Sequence, residues 1–155
     1  MMKVIKLGKK NSIFNHFISE IRDVNIQRDS MRFRRNIERI GEIFAYKISK
    51  EMDYENKDIT TPLGISTQSL MTEKPILATI LRAGLPLHQG FLNYFDSSDN
   101  AFISAYRKHK KVGDFEIKIE YMSSPDLEGK TVILCDPMIA SGASMIMAME
   151  AILSK

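Results

Sequence analysis

Apolar residues in the first half of the chain recur at steps of three and four, which predicts helices. A short amphipathic helix is predicted over Asn11–Ile21, and a longer one is predicted with Ser30 as its cap. The apolar stripe of the longer helix consists of Phe33, Ile37, Ile40, Phe44 and Ile48. Charged residues lie between the members of this stripe, so one face should pack on a core and the other should face water.

The second half of the chain has a different pattern. The continuous apolar runs Pro75–Leu81 and Thr131–Cys135 predict strands that are covered on both faces. Residues 115–121 alternate strictly between apolar and charged, which predicts a strand with one wet face. This strand should pair with a strand at 101–106 across a loop at Arg107–Asp114.

The remaining segments complete the predicted architecture. Helices are predicted at Leu87–Tyr94 and Ser144–Leu153, and short extended pieces with turns at Asp58–Glu73. Buried strands that alternate with helices indicate an α/β domain with a mainly parallel sheet flanked by helices. An N-terminal helical segment and a β-hairpin arm are expected beside that sheet.

Composition narrows the class of protein. The chain has 155 residues, of which 44% are hydrophobic and 26% are charged, as expected for one globular domain. The net charge of +3 is too small to indicate a nucleic-acid-binding protein. Cys135 is the only cysteine, so an intrachain disulfide is excluded and a reducing, cytoplasmic setting is expected. No apolar run reaches the length of a membrane span.

The predicted C-terminal helix is apolar on almost all sides. Such a helix needs cover on more than one face, yet no strand follows it before Lys155. Either a partner covers it or the chain is the front part of a longer protein, and we expect the second.

The segment Val132–Met145 carries the strongest chemical signal. A buried strand delivers Asp136 at its carboxyl end, and a loop of small residues, Ala140–Ser144, then opens a helix. Small residues let backbone N–H groups approach an anion, and a helix N-terminus adds partial positive charge. A carboxylate beside a phosphate cradle suggests a sugar phosphate. The alternative is an ordinary strand–loop–helix connection in which Asp136 caps the helix.

Three segments together resemble the phosphoribosyltransferases, and most of all the uracil phosphoribosyltransferases. The loop that begins Asp136–Pro137–Met138 resembles the loop that binds phosphoribosyl diphosphate (PRPP) in that family, with Ala143 in place of a glycine. If that position required positive φ, alanine would cost about 1 kcal/mol there. The segments Ile80–Leu85 and Ala105–Arg107 resemble its Leu-Arg-Ala-Gly segment and the Tyr-Arg before its mobile loop.

The resemblance implies the residues of a PRPP site. Asp136, Arg107 and Arg82 would be the catalytic residues, with the two arginines on the diphosphate. The PRPP-binding residues would be Arg82, Ala83, Gly84, Arg107, Asp136, Pro137, Met138, Ile139, Ala140, Ser141, Gly142, Ala143 and Ser144. No direct protein ligand for a metal is expected, because Mg²⁺ would be carried by the diphosphate.

The resemblance also implies the reaction and its partners. Such an enzyme makes UMP and diphosphate from uracil and PRPP, and a homodimer or higher homo-oligomer is expected. Residues 1–155 would form a single phosphoribosyltransferase-like domain that lacks the C-terminal uracil-binding segment, and this piece alone could be inactive. Neither a membrane nor a nucleic acid is an expected partner.

Two other functions stay open on the sequence. The first is a nucleotide-sensing, RNA-binding regulator of the same fold, suggested by the arginines at 32–39 and the lysines at 108–111. Regulators of that kind usually carry paired acids at the loop start, whereas Pro137 follows Asp136 here. The second is a phosphoribosyltransferase with a different base.

His16, His88 and His109 are expected to have structural or surface roles, because their spacing does not suit a metal site. Cys135 is expected to be an inert core residue, because it lies in a predicted buried strand.

Overall fold

The structure, a computed structural model, describes residues 3–111 and 114–155, and it describes residues 106–111 and 114–118 through their backbone alone. The helices of the described part are α1 (Ile13–Arg22), α2 (Ser30–Ser49), α3 (Leu85–Leu92) and α4 (Ala143–Leu153). Its strands are β1 (Tyr54–Thr61), β2 (Gly64–Met71), β3 (Ile76–Leu81), β4 (Asn100–Lys111), β5 (Asp114–Ser123) and β6 (Val132–Cys135).

The central sheet has four strands in the order β5-β4-β3-β6. Strand β3 pairs in parallel with both β4 and β6, whereas β4 and β5 form an antiparallel hairpin. Because parallel strands share a direction, the carboxyl ends of β3, β4 and β6 meet at one edge of the sheet. The predicted α/β class with a mainly parallel sheet is confirmed.

Helices cover both faces of this sheet, because β3 and β6 are apolar on both sides. One face carries Leu77 and Cys135, which pack with buried residues of α1, α2 and α3. The other face carries Ile80 and Ile103, which pack against Ala148 of α4. No helix of the described residues is both long and apolar enough to cross a membrane.

Helix α4 covers its face only in part. A groove of about 900 Å³ runs between α4 and the edge strand β6, and its walls include Val132, Leu134, Met145 and Met149. The side chains of Ile146 and Leu153 are 56% and 82% exposed. The expectation that this apolar helix needs further cover is therefore consistent with its exposed surface.

The segment between α2 and β3 is more regular than predicted. Strands β1 and β2 form a separate antiparallel hairpin, with Thr61 opposite Gly64 at the turn. The sequence predicted only short extended pieces here, because polar residues on both faces hide the period of two on which strand prediction depends. Leu63 at the hairpin tip is fully exposed.

The prediction of a loop at Arg107–Asp114 is wrong over most of that segment. Strand β4 continues to Lys111 and β5 begins at Asp114, while residues 112 and 113 lie outside the described residues. The strand continues although its residues become polar, since β5 offers it backbone hydrogen-bond partners as far as Asp114. Helix α3 likewise begins earlier than predicted, at Leu85, because a proline is compatible with a first helical turn.

The prediction that Ser30 caps α2 is also wrong. The cap is Asp29, whose Oδ1 accepts hydrogen bonds from the N–H groups of Met31 at 3.0 Å and Arg32 at 2.9 Å. Ser30 is the first residue of the helix. The negative charge of the Asp29 carboxylate also complements the helix dipole at this end of α2.

We expect Asp29→Ala to lower the free energy of unfolding by about 1 kcal/mol, since two N–H groups lose their acceptor. Urea denaturation would measure the change. Ser30→Ala is the matched control and should be close to neutral. An equal loss in both variants would contradict the assignment of Asp29 as the cap.

Candidate active site

The register of the sheet brings two of the predicted site segments together. Thr79 of β3 lies opposite Cys135 of β6, so Arg82 and Asp136 both leave the sheet at its carboxyl edge. The turn after β3 also contacts the end of β6, because a Cβ atom added at Gly84 would lie 2.9 Å from the carbonyl oxygen of Cys135. Ligands of open α/β sheets bind at this edge.

The loop after β6 encloses a small cavity of about 110 Å³. Asp136 forms one wall, and the residues from Met138 to Met145 form the rest. The first turn of α4 faces this cavity through Ala143 and Ser144. Backbone N–H groups in that turn have no partner within the helix, so the cavity has the polarity of an anion site.

Glycine is required at one position of this loop. Gly142 is the N-cap of α4 and has a φ of +80°, a conformation that other residues rarely adopt. Ala143 is already the first helical residue, and no described residue other than glycine has a positive φ. The cost foreseen for Ala143 therefore does not arise.

Asp136 is half-buried at the mouth of the loop. Burial raises the pKa of its carboxyl group, while a hydrogen bond from the Met138 N–H at 3.3 Å acts in the opposite direction. Because Gly142 caps α4, the alternative in which Asp136 is the helix cap is wrong. The carboxylate is left to face the cavity, where it can accept bonds from ligand hydroxyls.

The turn after β3 holds the second charged group. Arg82 is exposed, and the Gly84 N–H bonds the Ile80 carbonyl at 3.0 Å before α3 begins. The peptide bond between Leu81 and Arg82 is cis. An exposed guanidinium at the same edge of the sheet as this cavity can form paired hydrogen bonds with phosphate oxygens.

Arg107, the third predicted catalytic residue, has a side chain that lies outside the described residues. Its backbone belongs to β4, where Ser104 is opposite Leu81 and Arg107 is paired with Ile117 of β5. Arg107 therefore lies three residues beyond the position opposite Leu81, where β4 has passed the carboxyl end of β3.

Cys135 is buried at the end of β6, and burial raises the pKa of its thiol to about 12. A thiol of that pKa is almost wholly protonated at neutral pH and therefore a poor nucleophile. This agrees with its expected role as an inert core residue. Among the described residues, no three His, Cys, Asp or Glu side chains lie close enough together to hold a metal ion.

Comparison with known proteins identifies the family of this chain. The family model described as uracil phosphoribosyltransferase matches residues 9–155. The chain belongs to the uracil phosphoribosyltransferase family. A uracil phosphoribosyltransferase from Porphyromonas gingivalis is 56% identical over 154 residues, which are 99% of this chain and 71% of the relative.

A more distant relative and a solved structure agree with this assignment. A uracil phosphoribosyltransferase from Sulfolobus acidocaldarius is 35% identical over 151 residues, covering 92% of this chain and 69% of the relative. The solved structure of the AQ2163 protein from Aquifex aeolicus superposes with a TM-score of 0.80 at 26% identity, covering 94% of this chain and 68% of that chain. The predicted resemblance to the uracil phosphoribosyltransferases is thus confirmed.

Three of the arginines on α2 that suggested an RNA-binding face make contacts with other side chains of this chain. Arg32 pairs with Glu20, and Arg35 pairs with Glu38. Arg39 donates to the Asn36 side chain and lies over the Phe17 ring. The contacts of Arg32 with Glu20 and of Arg39 with Phe17 tie α2 to α1, whereas the pair of Arg35 with Glu38 lies within α2. The side chains of the lysines at 108–111 lie outside the described residues.

Sequence reasoning did not single out Thr79, which the structure places beside two of the predicted site segments. Thr79 is completely buried in β3, and its hydroxyl lies against Gly84, in the turn that carries Arg82, and against Cys135, the residue before Asp136. The signal was present in the sequence, because Thr79 carries the only side-chain hydroxyl in the apolar run Pro75–Leu81. A lone buried hydroxyl needs a partner, and that partner belongs to a strand far away along the chain.

Proposed function

We propose that this protein transfers the phosphoribosyl group of PRPP to uracil, giving UMP and diphosphate. The observation that carries the proposal is the small cavity after β6, lined by Asp136 and the first turn of α4, next to the turn that bears Arg82. The 5′-phosphate of PRPP occupies the cavity. The ribose then lies along Asp136, and the diphosphate points toward Arg82.

Each site residue has a role that follows from charge. The N–H groups of the loop Ala140–Ser144 and the hydroxyls of Ser141 and Ser144 bind the 5′-phosphate. Arg82 and Arg107 bind the diphosphate, which gains negative charge as its bond to ribose C1 breaks. Asp136 accepts bonds from the ribose hydroxyls and stabilises the positive charge that develops on the sugar.

The remaining predicted residues contribute backbone groups and shape. Ala83 and Gly84 let the turn after β3 approach the diphosphate, and Pro137, Met138 and Ile139 carry the chain from Asp136 around the cavity. Catalysis then consists of positioning and electrostatic stabilisation. The C1–O bond to diphosphate breaks, a C1–N bond to uracil forms, and the uracil nitrogen loses its proton.

The choice of uracil is supported by the names of the relatives, which are uracil phosphoribosyltransferases. Mg²⁺ is a hard cation that prefers oxygen ligands, and we expect the diphosphate and water, not a protein side chain, to supply them. When bound with the diphosphate, Mg²⁺ screens the charge of the leaving group.

Three further expectations stay predictions. Residues 1–155 form one phosphoribosyltransferase-like domain, which is supported by helices packed on both faces of a single sheet. A homo-oligomer is expected from the resemblance. A cytoplasmic setting is expected from the single, free and buried Cys135.

Titration calorimetry with PRPP tests the proposal on the chain itself. We expect PRPP to bind in the presence of Mg²⁺, and to bind less tightly when the metal is chelated, because the diphosphate charge is then unscreened. UMP formation from uracil, with hypoxanthine as the competing base, tests the base. Failure to bind PRPP at millimolar concentration would refute the proposed function.

A further inference from the structure

Thr79 lies at the last paired position between β3 and β6. Its side chain is completely buried, and the recorded register between these strands ends at the pair Thr79–Cys135. Asp136 follows directly, and Arg82 comes three residues after Thr79. The turn that carries Arg82 and the loop that carries Asp136 are called the two ligand loops below. Beyond the pair Thr79–Cys135, they leave the sheet without further ladder contacts to each other.

The hydroxyl of Thr79 is directed at both loops. It donates a long hydrogen bond of 3.4 Å to the carbonyl oxygen of Cys135, the residue before Asp136. It also lies against Gly84, because a Cβ atom added there would be 2.1 Å from Thr79 Oγ1. One side chain therefore contacts the end of β6 and the turn that carries Arg82.

The contact is close because the turn packs tightly on the sheet. The same added Cβ atom would lie 2.7 Å from the carbonyl oxygen of Ile80 and 2.9 Å from that of Cys135. Gly84 thus sits between two carbonyl groups and the Thr79 hydroxyl. A buried hydroxyl costs free energy unless it is hydrogen-bonded, and the Cys135 carbonyl is its partner here.

We propose that Thr79 is a positioning residue for PRPP, which fixes the turn of Arg82 relative to Asp136. The inference rests on the proposed function, since it assigns these two loops to the two phosphate ends of one substrate. The distance between a 5′-phosphate site and a diphosphate site must match the substrate. A small misplacement of either loop weakens every bond made by the other.

The test compares Thr79→Val, which keeps the shape and removes the hydroxyl, with Thr79→Ser, which keeps the hydroxyl. PRPP affinity is measured by calorimetry with Mg²⁺, at a temperature where circular dichroism shows each variant to be fully folded. We expect Thr79→Val to bind PRPP about three- to tenfold more weakly, as for the loss of one hydrogen bond. Thr79→Ser should bind within about twofold of the unsubstituted chain.

A matched control removes a hydroxyl from the other end of the sheet. Thr131 directly precedes β6 and bonds Glu73, away from the carboxyl edge. Thr131→Val should leave PRPP affinity unchanged. If Thr79→Val does not fold, Thr79→Ala carries the same expectation, because it removes the hydroxyl without placing a methyl group against Gly84.

A double-mutant cycle separates positioning from simple stability. If Thr79 acts by aligning the two loops, Thr79→Val should have little further effect on PRPP affinity once Asp136→Asn has removed one of the aligned groups. Additive losses would overturn the proposal, as would an unchanged affinity in Thr79→Val or an equal loss in Thr79→Ser. Absence of PRPP binding by the unsubstituted chain would instead refute the proposed function itself, and this inference with it.

Discussion

Asp136→Asn is expected to weaken PRPP binding about ten- to a hundredfold, the loss typical of one or two charge-assisted hydrogen bonds. Asparagine has nearly the same shape as aspartate, but its amide nitrogen cannot accept a bond from a ribose hydroxyl. Turnover should fall further, to almost nothing. The reason is that positive charge on the sugar develops only in the transition state, where the carboxylate is most needed.

Calorimetry with PRPP and Mg²⁺ measures the affinity, and the rate of UMP formation measures the turnover. Asp126→Asn is a matched control, because Asp126 makes the same local bond, from the N–H two residues ahead, that Asp136 makes. Asp126 is exposed and lies in the loop between β5 and β6. Normal PRPP affinity and normal turnover in Asp136→Asn would show that Asp136 is not part of the site.

Gly90→Ala is expected to destabilise the fold by about 3 kcal/mol or more. Helices α2 and α3 touch backbone to backbone at this point. A Cβ atom added at Gly90 would lie 2.0 Å from the carbonyl oxygen of Glu38 and 2.8 Å from the Cα atom of Gly41. No side chain can move aside to make room, so the helices must separate. The higher helix propensity of alanine offsets about 1 kcal/mol at most.

Urea denaturation measures the loss, and PRPP calorimetry measures its consequence for the site. Because α3 begins directly after the turn of Arg82, separation of the helices should also weaken PRPP binding. Gly8→Ala is the control, since the nearest atom to its added Cβ is in the Phe14 ring at 3.7 Å. Equal stability of the two variants would show that α2 and α3 are not in such close contact.

The buried strands and the amphipathic helices could be predicted from the sequence because burial leaves a local record. Ile76–Leu81 and Val132–Cys135 are continuous apolar runs, and each is a strand with helices packed on its faces. The stripe on α2 has the helical period, and Ile37 and Ile40 are buried as it predicts. The loop after Asp136 was also recognisable from the sequence, because its small residues and its acid are adjacent there.

Other features depend on partners far away along the chain. The continuation of β4 to Lys111 follows from its pairing with β5, and no period in its own polar residues marks it. Asp29 and Ser30 are both good helix caps by residue type, and only the geometry of the first turn distinguishes them.

The amino-acid sequence by itself determined the α/β class, the family and the composition of the phosphate loop, because each of these depends on residues that are neighbours or that repeat at a regular step. The tertiary structure alone decided that Gly90 meets Gly41 and that Thr79 lies against both ligand loops. These contacts join segments that the sequence keeps apart. The energy of such a contact changes steeply when its distance changes by a few tenths of an ångström. These distances depend on how the whole sheet and its helices pack.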